Sequence, residues 1–203
     1  MSEVLVIGDS FAADWSIKYN EYKGWPNLLA EQHNVTNLAQ AGVSEYKIYK
    51  QLLSVKNLSE FNWVIVWHTS PLRVHTREHP IHKNNKLHKD ADLLLLDITY
   101  HSSKIKNIFN GSLKAASRWF EYHFDIDYQY DTYSLYKEKI SELLKNNNTI
   151  TISGMYSIET IPSNKIILNY KKLWEKERGL INHFTLHGNQ IIYNDIVSII
   201  ENN

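Results

Sequence analysis

Two apolar runs frame the chain. Val4-Leu5-Val6-Ile7 and Trp63-Val64-Ile65-Val66-Trp67 contain no polar position, the pattern of strands buried on both faces of a parallel sheet. Val35–Leu38 and Thr149–Gly154 predict two further strands, and Lys165–Leu168 a short fifth. Between the runs the apolar period changes to that of a helix. Trp25, Leu28, Leu29 and Gln32 share one face, with Pro26 in the first turn. Ile48, Leu52 and Val55 share another, in a helix from Glu45 capped by Ser44. Ser112–Lys145 is helical in pattern, with Ala115, Trp119 and Tyr122 and later Tyr136, Ile140, Leu143 and Leu144; Asp125–Asp131 predicts a break into two helices. A last helix spans about His187 to Ile200, with Ile191, Ile192, Ile196 and Ile199 on its apolar face. Strands alternating with helices at this spacing predict an α/β fold, a three-layer α/β/α sandwich around a central parallel sheet of flavodoxin-like type.

One stretch does not fit the alternation. Residues from about 74 to 111 are rich in His, Lys and Asn, with an acidic-apolar piece at Asp90–Ile98. They are expected to form a long insertion with a helical piece, a lid over the site. The rest has no repeat and no low-complexity linker, so a single domain over residues 1–203 is expected. Lys and Arg number 22, as do Asp and Glu, so no net field draws the molecule to nucleic acid or anionic lipid. The absence of cysteine excludes disulfides, thiolate zinc sites and a cysteine nucleophile. The chain enters its first strand without a basic leader or cleavage site, and no run is long enough to span a bilayer, which predicts a cytoplasmic protein without membrane association. Six Trp and 13 Tyr exceed what a core needs and suggest an aromatic-lined groove.

Chemistry gathers beyond the carboxyl ends of strands in an open α/β sheet. Ser10 follows the first strand, Gly42 the second, and Thr69-Ser70 the third, while Asn182-His183-Phe184-Thr185-Leu186-His187-Gly188 precedes the last helix. Taken alone, Gly8-Asp9-Ser10 reads equally as a turn or a helix cap. Together these residues are the set that acyl transfer requires. A serine hydroxyl is a weak nucleophile that needs an imidazole to take its proton, and the oxyanion needs donors, which the amides of Ser10 and Gly42 supply.

On these residues the chain resembles the SGNH (GDSL-like) hydrolase family over nearly its whole length. Gly8-Asp9-Ser10 resembles the family's first block, which implies Ser10 as nucleophile and oxyanion donor. Asn37-Leu38-Ala39-Gln40-Ala41-Gly42 resembles the second and implies Gly42 as another donor. The third block normally reads Gly-x-Asn-Asp; here Trp67-His68-Thr69-Ser70 places Thr69 where the Asn donor belongs. His183, five residues before Gly188 and a final helix, matches the family's catalytic His. The family's Asp three residues before that His is replaced by Leu180, so a Ser10–His183 dyad, oriented by a backbone carbonyl or Asn182, is the expectation, with Glu175 or Glu177 as remote alternatives. The resemblance implies a serine esterase that cleaves a short, acetyl-like acyl group from a small-molecule or glycan-linked ester, with no cofactor and no metal.

Two other classes remain open at this point. The replaced Asn and Asp also suit a catalytically degenerate family member that binds a glycan or a protein. A flavodoxin-like domain holding an anion on the Gly8–Ser10 loop is the third. No Gly-x-Gly-x-x-Gly or Gly-Lys-Ser/Thr follows a strand. His187 competes with His183 as base. Arg73 is a candidate for holding an anionic or sugar-linked group. His75, His79, His82 and His88 match no named zinc spacing and are expected to lie in a solvated insertion. Tyr128, Tyr130, Tyr133 and Tyr136 are expected to pack a helix face.

Overall fold

Five parallel strands run side by side in the order β2-β1-β3-β4-β5: β1 (Glu3–Gly8), β2 (Asn34–Asn37), β3 (Trp63–His68), β4 (Thr149–Ser153) and β5 (Ile166–Asn169). The computed structural model describes residues 1–19, 22–153, 166–179 and 183–202. Gly154, Lys165, Leu180 and Asn182, which figure in the sequence-based expectations, lie outside them. The helices are α1 (Trp25–Leu29), α2 (Glu45–Leu53), α3 (Leu95–Ser102), α4 (Gly111–Tyr122), α5 (Ile126–Leu143), α6 (Lys171–Lys176) and α7 (Leu186–Asn202).

The alternation within the apolar strands sorts the two faces. Val4 and Val6 of β1, with Trp63, Ile65 and Trp67 of β3, pack against Trp25 and Leu29 of α1 and Ile192, Ile196 and Ile200 of α7. Leu5 and Ile7, with Val64 and Val66, pack against Ile48 and Leu52 of α2 and Ile140 of α5. Successive side chains of a strand point to opposite faces, so a central strand covered on both sides must be apolar throughout. This is the three-layer α/β/α sandwich that the pattern predicts.

Boundaries differ in instructive ways. α1 stops at Leu29, so Gln32 lies beyond it. The break between α4 and α5 falls at residues 123–125, earlier than expected. Asp125 accepts the amides of Asp127 and Tyr128 as an N-cap, and Asp127 to Asp131 are helical. α6 was not anticipated, because six residues with few apolar positions carry no readable period. The helical piece of the insertion is α3, shifted towards the C-terminus from Asp90–Ile98. No helix of the described residues is long and apolar enough to cross a membrane.

Candidate active site

β1 and β2 lie on one side of the sheet's first crossover and β3 on the other, so the carboxyl end of β1 opens at the point where the strand order reverses. Gly8 closes β1 against β3 so tightly that a Cβ there would lie 2.8 Å from both the Cβ and the carbonyl oxygen of Trp67. The Gln51 side chain of α2 then clamps the strand end, accepting the Gly8 amide at 2.8 Å and donating to the Gly8 carbonyl at 3.1 Å. The chain turns at once. Asp9 accepts the Phe11 amide on Oδ1 at 3.0 Å, and the Ala12 amide donates to the Asp9 carbonyl at 3.1 Å. Ser10 sits buried in this turn, its carbonyl accepting from Trp15 Nε1 at 2.6 Å.

The second loop is tied to the first by Asn37, which donates to the Ala12 carbonyl at 2.9 Å and accepts the Ala39 amide at 2.9 Å. Gly42 follows in the left-handed region, φ +82°, where a side chain would be strained. Its carbonyl accepts from the Arg73 guanidinium at 3.1 Å and from the Asp92 amide at 2.8 Å. The amides of Ser10 and Gly42 make no hydrogen bond among the described residues.

The loop before α7 brings His183 to the Ser10 turn. Its ring lies 4.8 Å from that of Phe11 and 4.4 Å from that of Trp15, centroid to centroid, and both ring nitrogens are shielded from solvent. The loop is anchored from behind. The Gly179 amide donates to the His183 carbonyl at 2.6 Å, Tyr22 Oη donates to the Phe184 carbonyl at 2.6 Å, and buried Asn189 donates to the Thr185 carbonyl at 3.0 Å. His187 is exposed on the first turn of α7. The Glu177 carboxylate accepts from Thr185 Oγ1 at 2.5 Å, and Glu175 is exposed.

Thr69 enters differently from the expectation. Its hydroxyl donates to Asp9 Oδ2 at 2.8 Å, so the proton that would serve an oxyanion is engaged with a carboxylate in this structure. Burial pushes the Asp9 carboxyl up to about 6, against the opposing pull of the Arg73 charge. Arg73 does face this region, between Gly42 and a cleft of about 260 Å³ that Glu45, His75, Tyr46, Tyr128 and Tyr136 also line. Tyr128, Tyr133 and Tyr136 border this cavity, and Tyr128 and Tyr130 are exposed instead of packed on a helix face; the Tyr46 and Tyr136 rings meet at a tilt, 5.2 Å apart.

Several site residues escaped the sequence reading. Buried Glu45 pairs with His68 Nδ1 at 2.6 Å and accepts the Thr69 amide at 3.4 Å, fixing the end of β3. Asp92, whose side chain is wholly buried, accepts the amides of Ser44 at 2.7 Å and Thr76 at 2.8 Å and pairs with Lys47 at 2.8 Å, which ties the insertion to the Gly42 loop. His88 stands 5.9 Å from the Trp15 ring, and burial, with the nearby charges of His82, Lys18, Arg73 and His183, pushes its imidazole down to about 4. The histidine-rich stretch is thus not uniformly solvated: His79 is 1% exposed.

No family model matches the sequence, and no curated protein matches it. Among solved structures the chain is similar to the acetyl xylan esterase AlAXEase, with TM-score 0.53 and 10% identity over 98% of this chain and 99% of that one. It is also similar to a lipase/acylhydrolase from Enterococcus faecalis, with TM-score 0.51 and 11% identity over 100% of this chain and 96% of that one. At such identity the likeness is one of fold alone, the three-layer α/β/α sandwich.

Proposed function

We propose that this chain is a serine esterase in which Ser10 is the nucleophile and His183 the general base, acting on a short acyl ester. The observation that carries the reading is the meeting of the Ser10 turn with the His183 ring, through Phe11 and Trp15, at the carboxyl edge of the sheet. Ser10 Oγ attacks the ester carbonyl while His183 takes its proton. The amides of Ser10 and Gly42 hold the oxyanion of the tetrahedral intermediate. His183 then protonates the departing alcohol, and the same imidazole activates the water that frees the acid from the acyl-enzyme. Esterase and acylhydrolase neighbours in the same fold support this class, and an acetyl group is the acyl part favoured by likeness to an acetyl xylan esterase. Arg73 and the tyrosine-lined cleft beside Gly42 would hold the alcohol part, a small molecule or a glycan.

Intact-mass labelling with a fluorophosphonate tests the proposal. Wild type is expected to gain one adduct, Ser10→Ala none, and His183→Ala to label on the order of 10³-fold more slowly, the usual worth of a positioned base. Folded wild type that takes no adduct would sink the esterase reading. Labelling that survives His183→Ala undiminished would remove His183 from the mechanism.

A further inference from the structure

The insertion carries a second cluster of chemistry that the esterase mechanism does not use. Asp97 and His101 lie one turn apart on α3, and His79 and His82 approach them from the loop before it. His79 Nε2 and His82 Nε2 each stand 3.2 Å from Asp97 Oδ2, and His101 Nε2 stands 3.5 Å from Asp97 Oδ1. The rings of His79 and His82 stack at 4.5 Å, and His101 meets His82 edge-on at 5.3 Å.

Ligands at tetrahedral positions around an ion with arms of about 2.0–2.1 Å lie roughly 3.3 Å from one another. The separations of His79 and His82 from Asp97 Oδ2 match that edge length. One nitrogen gives the decisive detail. His79 is 1% exposed and its Nε2 lies 3.2 Å from a carboxylate oxygen, yet that nitrogen makes no aligned hydrogen bond. It points beside the carboxylate rather than at it. Groups placed around a shared ion stand in this relation, because each faces a common point and not its neighbour. The cluster is also reachable, since the side chains of His82 and Asp97 are 23% and 31% exposed.

We propose that His79, His82 and Asp97 form a binding site for a divalent transition-metal ion of the zinc class. Imidazole nitrogens with one carboxylate and no thiolate suit zinc, whereas calcium and magnesium prefer all-oxygen sets. Two nitrogens and one oxygen leave the fourth position to water, and the ion pins α3 to the loop at 79–82. His79 Nδ1 accepts the amides of Ile81 and His82, both at 3.2 Å, which places the ring proton on Nε2. Metal binding at Nε2 moves that proton to Nδ1 at the expense of the two amide hydrogen bonds, and affinity falls as pH falls because protons compete with the metal for the imidazoles. The pinned loop continues to the site: His82 lies 5.3 Å from the His88 ring, and His88 lies 5.9 Å from Trp15.

Titration of tag-free, chelator-stripped protein with zinc by calorimetry tests the proposal, with thermal unfolding followed in parallel. One equivalent is expected to bind and to raise Tm. Asp97→Asn and His82→Ala are each expected to weaken binding at least 100-fold and to abolish the Tm gain. Cobalt bound in place of zinc should show the visible bands of a tetrahedral ion. Wild type that binds no equivalent would overturn the proposal, as would one equivalent bound undiminished by both variants. If Asp97→Asn fails to fold, His82→Ala, at a partly exposed position, decides alone.

Discussion

Asp9 shows what one residue gives up for its place beside Ser10. Its carboxyl is fully enclosed, so the charged form loses hydration, and Glu45 adds to the upward displacement while Arg73, the Phe11 amide and the Thr69 hydroxyl oppose it. A folded-state value raised from 3.8 to about 6 means that the folded protein holds its proton more tightly than the unfolded chain does. The associated stabilisation is present below pH 4 and is lost as pH rises through about 6. Over that window the loss is on the order of 2–3 kcal/mol. Asp9→Asn carries no proton to lose, and its amide can still accept from Phe11. It is therefore expected to match wild type near pH 4 and to be more stable by about 2 kcal/mol at pH 7.5 in urea denaturation. A difference that stays constant between the two pH values would contradict the burial account. Residues of this kind divide by legibility. Ser10, Gly42 and His183 could be found because each sits next to a strand end or helix start that the apolar pattern marks. Glu45, Asp92 and His88 could not. Their partners are 23 residues away for Glu45 and His68, 48 for Asp92 and Ser44, and 73 for His88 and Trp15, and no local spacing encodes such meetings.

At the scale of elements, β1 and β3 were legible because burial on both faces leaves a short run of Val, Ile, Leu and Trp between turn residues. α2, α5 and α7 were legible through one apolar stripe each. The insertion was not, because it is organised around buried polar anchors and a small cluster in which Ile98 packs on Leu113, Ala116 and Phe120 of α4, instead of one periodic face. Asp92 is the principal anchor. Truncation to Ala would leave the amides of Ser44 and Thr76 without their acceptor and Lys47 without its counter-ion. Removing one partner of a buried pair typically costs about 3 kcal/mol or more. Asp92→Ala is thus expected to lose on the order of 3 kcal/mol and to be cut first by protease within residues 74–93, well before the sheet. It should also slow fluorophosphonate labelling, because the Asp92 amide and Arg73 both hold the Gly42 carbonyl. First cleavage outside this segment would show that the anchor holds something else.

For the molecule as a whole, the two kinds of organisation imply two levels of stability. β1 and β3 share a five-residue register, are covered by helices on both faces, and contribute to both large apolar clusters. Their amides can exchange with solvent only when the sandwich opens globally. The first part of the insertion, residues 74–93, is closed on itself by the Val74–Leu93 bridge, with hydrogen bonds of 2.9 and 3.0 Å, and by the contacts of Asp92. Its amides can exchange by a local opening that leaves the sheet intact. Ile65→Ala separates the two. Ile65 is wholly buried in the cluster beneath α1 and α7, and truncation of such a side chain costs about 3 kcal/mol. Native-state hydrogen exchange should then show strand amides exchanging about 100-fold faster in Ile65→Ala, while the fastest amides of residues 74–93 keep their wild-type rates. Acceleration of both sets by the same factor would mean that insertion and sandwich open as one unit, and that the wall the insertion forms beside Trp15 is as permanent as the sheet.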